Sequence, residues 1–114
     1  MQPLDLPSQI EPMDLQTARA FRDRLETLTP ILDFRIFGSR ARGEAQEDSD
    51  LDIFIKVVDL DRSLREKIYD IAWEVGFEHD RLISTFMVTE QQIQQEAIGA
   101  SPLLAKVLAE GIGL

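Results

Sequence analysis

Gly38-Ser39 and the pair Asp50 and Asp52, with ten residues between Ser39 and Asp50, are the positions in this sequence best suited to chemistry. A glycine in a turn lets the backbone approach a phosphate closely, and the serine beside it adds a hydroxyl donor. Arg40 and Arg42 follow at once and supply cationic donors that match phosphate geometry. In a strand, residues two apart face the same side, so Asp50 and Asp52 project together, about 6–7 Å apart along the backbone. Two carboxylates held this way repel unless a cation lies between them. Magnesium suits the place, because it takes a few carboxylates and completes its octahedron with water and substrate phosphate. Taken singly, a Gly-Ser sequence reads as a plain turn and D-x-D as a solvated strand start. Together, at the end of one strand and the start of its neighbour, they could meet in space, and they point to nucleotide chemistry.

The elements that must position these residues are legible from their periods. Asp14 is placed to cap a helix in which Leu15, Ala18, Phe21, Leu25 and Leu28 recur at helical spacing, ended by Pro30. Ile31 to Phe37 alternates, with Leu32, Phe34 and Ile36 on one face and Asp33 and Arg35 on the other, as a half-buried strand does. Gly38-Ser39 turns the chain, Arg40 to Gly43 starts a helical turn, and Glu44 to Ser49 reads as a polar loop. Leu51 to Val58 is β-branched and apolar, a second strand. Asp61 or Ser63 starts the next helix, the latter in a capping box with Glu66. Its stripe is Leu64, Ile68, Ile71, Ala72 and Val75, and Gly76 is placed to stop it. Tyr69 and Trp73 flank that stripe, either partly buried or available to a partner.

Arg81 to Val88 reads as a third strand, and Thr89 with Gln92 as a capping box opening a short helix. Ser101-Pro102 caps a last helix that ends at Gly111. Its Leu103, Leu104, Val107 and Leu108 serve as core or as a dimer contact, which leaves a homo-oligomer open. His79, the single histidine, reads as a solvated loop residue. Residues 1–13, with three prolines and no period, form a loose leader, and residues 14–114 a single domain.

Composition bounds what such a domain does. With 114 residues, 44% hydrophobic and 29% charged, the chain fits one small soluble α/β or α+β domain. No apolar run approaches the roughly 18 residues of a membrane helix. Met1 to Ile10 lacks the basic start and apolar core of a signal peptide. There is no cysteine, hence no disulfide framework and no thiolate metal site. These features fit the cytoplasm. A net charge of −9 opposes general nucleic-acid binding, since phosphate backbones repel an acidic surface. It leaves room for a nucleotide substrate, neutralised locally, and for a basic protein partner.

Gly38-Ser39-Arg40-Ala41-Arg42-Gly43, then Ser49-Asp50-Leu51-Asp52 and the apolar Ile53-Phe54-Ile55, resembles the nucleotidyltransferases of DNA polymerase beta type. More closely, it resembles the minimal nucleotidyltransferases, with the G-S, ten-residue, D-x-D spacing intact. The resemblance implies a small mixed sheet backed by helices, and transfer of a nucleoside monophosphate, AMP from ATP, to an acceptor hydroxyl. It implies that Gly38 and Ser39 hold the β- and γ-phosphates while Asp50 and Asp52 bind Mg2+. It also implies a protein partner, because minimal nucleotidyltransferases often serve as antitoxins of HEPN-type toxins, some by attaching AMP to a toxin tyrosine.

One position departs from the pattern. The superfamily usually carries a third carboxylate on a neighbouring strand, as base and second metal ligand. Here that strand reads Leu82-Ile83-Ser84-Thr85-Phe86-Met87-Val88, with Ser84 where the acid is expected. Glu78 and Asp80 precede the strand and fit poorly as substitutes. Two readings follow: an active nucleotidyltransferase, or a module of that fold that neutralises its partner by binding alone.

Overall fold

The computed structural model describes residues 9–95 and 100–114. In chain order the elements are α1 (Pro12–Glu26), β1 (Ile31–Phe37), α2 (Gly38–Arg42), β2 (Leu51–Val57), α3 (Arg62–Glu78), β3 (Ile83–Thr89), α4 (Glu90–Gln94), α5 (Pro102–Glu110) and β4 (Ile112–Gly113). The strands form one mixed sheet in the order β3-β2-β1-β4, with β1 antiparallel to both neighbours and β3 parallel to β2. This is the α+β arrangement, a small mixed sheet backed by helices, that the sequence suggests.

Alternation along the strands builds two apolar clusters on the two faces of the sheet. Phe34, Ile36, Ile53, Ile55 and Met87 join Phe21 and Leu25 of α1 and Ile68 and Val75 of α3 in the larger one. Phe21 and Phe34 meet edge-on, with ring centroids 6.0 Å apart. On the opposite face Phe37, Phe54 and Val88 pack under Leu104 and Val107 of α5. That smaller cluster covers only part of its face.

Several local readings need correction. α1 begins at Pro12, two residues before Asp14, and Ile10 is already buried in the core. Proline is preorganised for a first helical position, which explains the early start. Asp14 is therefore no cap: it lies in the first turn, 1% exposed, and its carboxylate serves two arginines. Residues 1–8 of the expected leader lie outside the described residues. In β1, Leu32 is 51% exposed rather than buried, because the pairing with β2 shifts register between Ile31 and Asp33.

In α3 the cap is Asp61, whose Oδ1 accepts from Leu64 N at 2.8 Å. Gly76 lies inside α3, where a side chain would run into the Arg81 carbonyl. The chain reverses instead at Asp80, with φ of 56°, and Arg81 N bonds back to Gly76 O at 2.8 Å. The Thr89–Gln92 capping box and the Ser101 cap form as expected. β4 was not expected; its two residues pair with Arg35 and Ile36.

Candidate functional site

The Gly-Ser turn and the carboxylate pair do come together, and the sheet register is the reason. β1 ends at Phe37, whose antiparallel partner is Asp52. Gly38 follows with φ of 77°, and a side chain there would collide with Asp52 Oδ2. Glycine is needed here twice over, for the backbone angle and for the room that the carboxylate takes. Ser39 is half-buried beside it, and its carbonyl accepts from Glu44 N at 3.0 Å. Gly43 closes α2 in the left-handed region, with φ of 73°.

Asp50 is exposed just ahead of β2, and Asp52 is half-buried in its first turn of pleat. Burial pushes the Asp52 carboxyl above its usual range, and the Asp50 charge pushes it further. Lys106 and Arg42 act in the opposite direction. A carboxylate desolvated beside another carboxylate is a poor arrangement for a solitary strand start and a good one for holding a cation. Among the described residues, no group of three or more acids, histidines or cysteines could hold a metal ion.

The two arginines part company. Arg42 stays near the carboxylates, donating to Glu44 Oε1 and Glu110 Oε1, each at 2.8 Å. Those contacts raise its pKa and tie α2 to α5. Arg40 is turned away from a phosphate role. Its side chain is buried and its donors are taken: Nε by Ser49 O at 2.9 Å, one terminal nitrogen by Asp14 Oδ2 at 3.0 Å, the other by the Gln46 and Glu47 carbonyls, both at 3.3 Å. Arg81 donates to the other Asp14 oxygen at 2.7 Å. The Asp14–Arg40 pair thus clamps the loop 46–49 that delivers Asp50. The nearest sequence signal was an acid at a helical position that should face the core.

On the other flank, Ser84 is the parallel partner of Asp52, so its side chain faces the same side of the sheet. That is the place where a third acid was expected, and the serine there is exposed. Glu78 closes α3, and Asp80 lines a cleft with Asp50, one strand end away from Ser84. His79 donates from Nδ1 to Val75 O at 3.0 Å, and serves to close the helix. Lys106 went unnoticed in the sequence. Burial of Leu104 and Val107 leaves it on the exposed flank of α5, and no carboxylate among the described residues pairs with it.

The sequence model of the nucleotidyltransferase domain matches residues 18–100, well over half the chain. The chain belongs to this family. A protein designated a minimal nucleotidyltransferase is 31% identical, with 91% of this chain and 99% of that one aligned at a TM-score of 0.55. A toxin–antitoxin structure with AMP-PNP is 21% identical over 82% of this nucleotidyltransferase and 69% of that chain, with a TM-score of 0.56. A tri-AMPylated Shewanella oneidensis HEPN toxin in complex with its MNT antitoxin gives 19% identity, 88% and 70% coverage, and a TM-score of 0.53. At such identities the last two speak for the fold. No curated protein matches the sequence. Among the described residues of this nucleotidyltransferase, no helix is long and apolar enough to cross a membrane.

Proposed function

We propose that this nucleotidyltransferase moves a nucleoside monophosphate, AMP from ATP, to a hydroxyl on a protein partner, and acts as the antitoxin of a HEPN-type toxin. The observation that carries the reading is the fit of Asp52 over Gly38, which joins phosphate turn and carboxylate pair in one place. In this reading residues 14–114, with Ile10 packed into the same core and α1 starting at Pro12, form the catalytic domain, and Asp50 and Asp52 would hold Mg2+ as two oxygen donors of a hard cation. The bound cation supplies charge neutralisation on the triphosphate.

The chain's own residues do the positioning. Gly38 and Ser39 cradle the β- and γ-phosphates, and Arg42 and Lys106 offset their remaining charge from the α2 and α5 sides. Arg40 holds the 46–49 loop, and so Asp50, in register. The acceptor oxygen bonds to the α-phosphorus as the bond to the β-phosphate breaks, and pyrophosphate leaves with the acceptor proton released to solvent. Positioning and charge complementarity of this kind account for most of the catalysis in phosphoryl transfer. The toxin–antitoxin neighbours support the partner class, and the AMP-PNP complex supports an adenine nucleotide.

A second reading is favoured by one observation, the serine beside Asp52. In it the domain keeps nucleotide affinity but neutralises its partner by occlusion. Labelled ATP, Mg2+ and the product of the adjacent gene separate the two. Transfer of label that drops at least about a hundredfold in Asp50→Ala and Asp52→Ala supports the enzyme. Neutralisation that survives both substitutions, with no label moved, supports occlusion. Ser84→Asp sharpens the choice: on the enzyme reading a third carboxylate tightens Mg2+ binding and speeds transfer, and on the occlusion reading it changes neither outcome.

A further inference from the structure

One stripe of α3 has no partner among the described residues. Tyr69, Trp73 and Phe77 recur every fourth residue and are 48%, 66% and 77% exposed. The Trp73 and Phe77 rings lie 6.2 Å apart, and Leu82, 59% exposed, extends the strip to the edge strand β3. Single exposed apolar residues are ordinary, but a continuous strip of aromatics marks a binding surface. Trp73, Phe77 and Leu82 form one wall of a cleft that Asp48, Asp50 and Asp80 also line. Beside the strip run Asp70 and Glu78, with Glu74 paired to Arg24 of α1, and no lysine or arginine occurs from Ile68 to Asp80. The two arginines that reach the cleft, Arg40 and Arg81, are engaged by Asp14 and Glu11.

We infer that this strip is the docking surface for the acceptor protein, and that it takes a segment of apolar side chains flanked by lysines or arginines. The inference rests on the reading of Asp50 as a site residue, because the cleft joins the strip to that carboxylate. Charge selects the occupant. A second copy of the chain would bring another net charge of −9 and the same acidic rim to the contact, and like charges juxtaposed are costly. A basic, apolar segment meets aromatics in its centre and carboxylates at its edge, the usual arrangement of an interface anchor. Seated there, it lies along a cleft that opens on Asp50, where an acceptor hydroxyl is wanted.

Trp73 is the single tryptophan, so its fluorescence reports on the strip directly. The probes are a synthetic amphipathic helix of leucines and lysines, the same helix with glutamates for lysines, Mg-ATP, and the protein alone across concentration. The Leu/Lys peptide is expected to shift Trp73 emission to the blue and to weaken as salt rises. Phe77→Ser with Leu82→Ser should weaken it at least tenfold, with the circular dichroism unchanged. An equal response to both peptides, or to neither, overturns the inference. So does a blue shift with Mg-ATP alone, or one that tracks dimerisation of the free protein. The readout needs no catalysis. Label transfer with a silent peptide response removes the docking strip alone, whereas a peptide response without label transfer removes the catalytic reading alone.

Discussion

The two faces of the sheet use the same strands for opposite ends. On one face Phe34, Ile36, Ile53, Ile55 and Met87 are sealed beneath α1 and α3. On the other, Phe37, Phe54 and Val88 are covered by α5, but the end that carries Asp52 and Ser84 is left open. Alternation means that each strand residue serves one face only, so the sealed face can be optimised for packing while the open end tolerates a desolvated carboxylate. Stability is concentrated on the sealed side, and the site draws on it. Truncating the packed apolar residues of the sealed face and neutralising the carboxylate at the open end should therefore differ in sign.

The largest effect is expected in the sealed layer. Phe34→Ala removes a fully buried ring from between the sheet and Phe21, and should cost about 3–5 kcal/mol in denaturant unfolding. A loss of under about 1 kcal/mol would mean that this face is not the main core. Nearly as large is the buried clamp. Asp14→Ala strands the Arg40 guanidinium without its buried partner and should cost about 3–5 kcal/mol. Because the same guanidinium holds the loop before Asp50, hydrogen exchange over residues 46–50 should quicken as well. Destabilisation without that quickening would uncouple clamp from site.

On the open side the sign reverses. The folded-state pKa of Asp52 lies above its unfolded value, so the group's contribution to stability is fully present below the unfolded pKa and is lost as pH rises through the folded pKa. At neutral pH the charged Asp52 is therefore a burden, and Asp52→Asn should raise Tm by a few degrees. The gain should shrink as the pH is lowered toward that of the free carboxylate. Divalent cation should raise the Tm of the parent protein and not of the variant. A fall in Tm for Asp52→Asn at neutral pH would break the contrast between the faces. Smallest is Thr85, on the sealed side, whose buried hydroxyl has no hydrogen-bond partner among the described residues. Thr85→Val keeps the shape and removes the unpaired group, so unfolding should be unchanged or more costly by up to about 1 kcal/mol.

Much of this was legible in the residues, and the exceptions share a cause. Gly38, Asp50 and Asp52 could be read because glycine in a turn and paired acids in a strand are dictated locally. So could the Thr89 and Ser101 caps, which span only a few residues. Arg40 was misread because its partner, Asp14, lies 26 positions away, and a buried ion pair leaves no local pattern. Asp14 looked like a cap for the same reason. Gly76 resembled a stop, yet it serves a close approach by the Arg81 carbonyl that only the tertiary fold creates. Leu32 obeyed the alternation until a register shift moved it outward. Lys106 needed the docking of α5 to be known before its charge could be placed near Asp52. Ser84 is the reverse case: its place beside Asp52 follows from the sequence reading and is met by the register.

The central claim is that Asp52 and the Gly38-Ser39 turn form one Mg2+-dependent nucleotide site. Calorimetric titration of a non-hydrolysable ATP analogue tests it most directly, with and without Mg2+, on the parent protein and Asp52→Asn. The account predicts binding that needs Mg2+ and weakens at least about tenfold, or about 1.4 kcal/mol, in the variant. Equal affinity without the cation, or an undiminished affinity in Asp52→Asn, would contradict it.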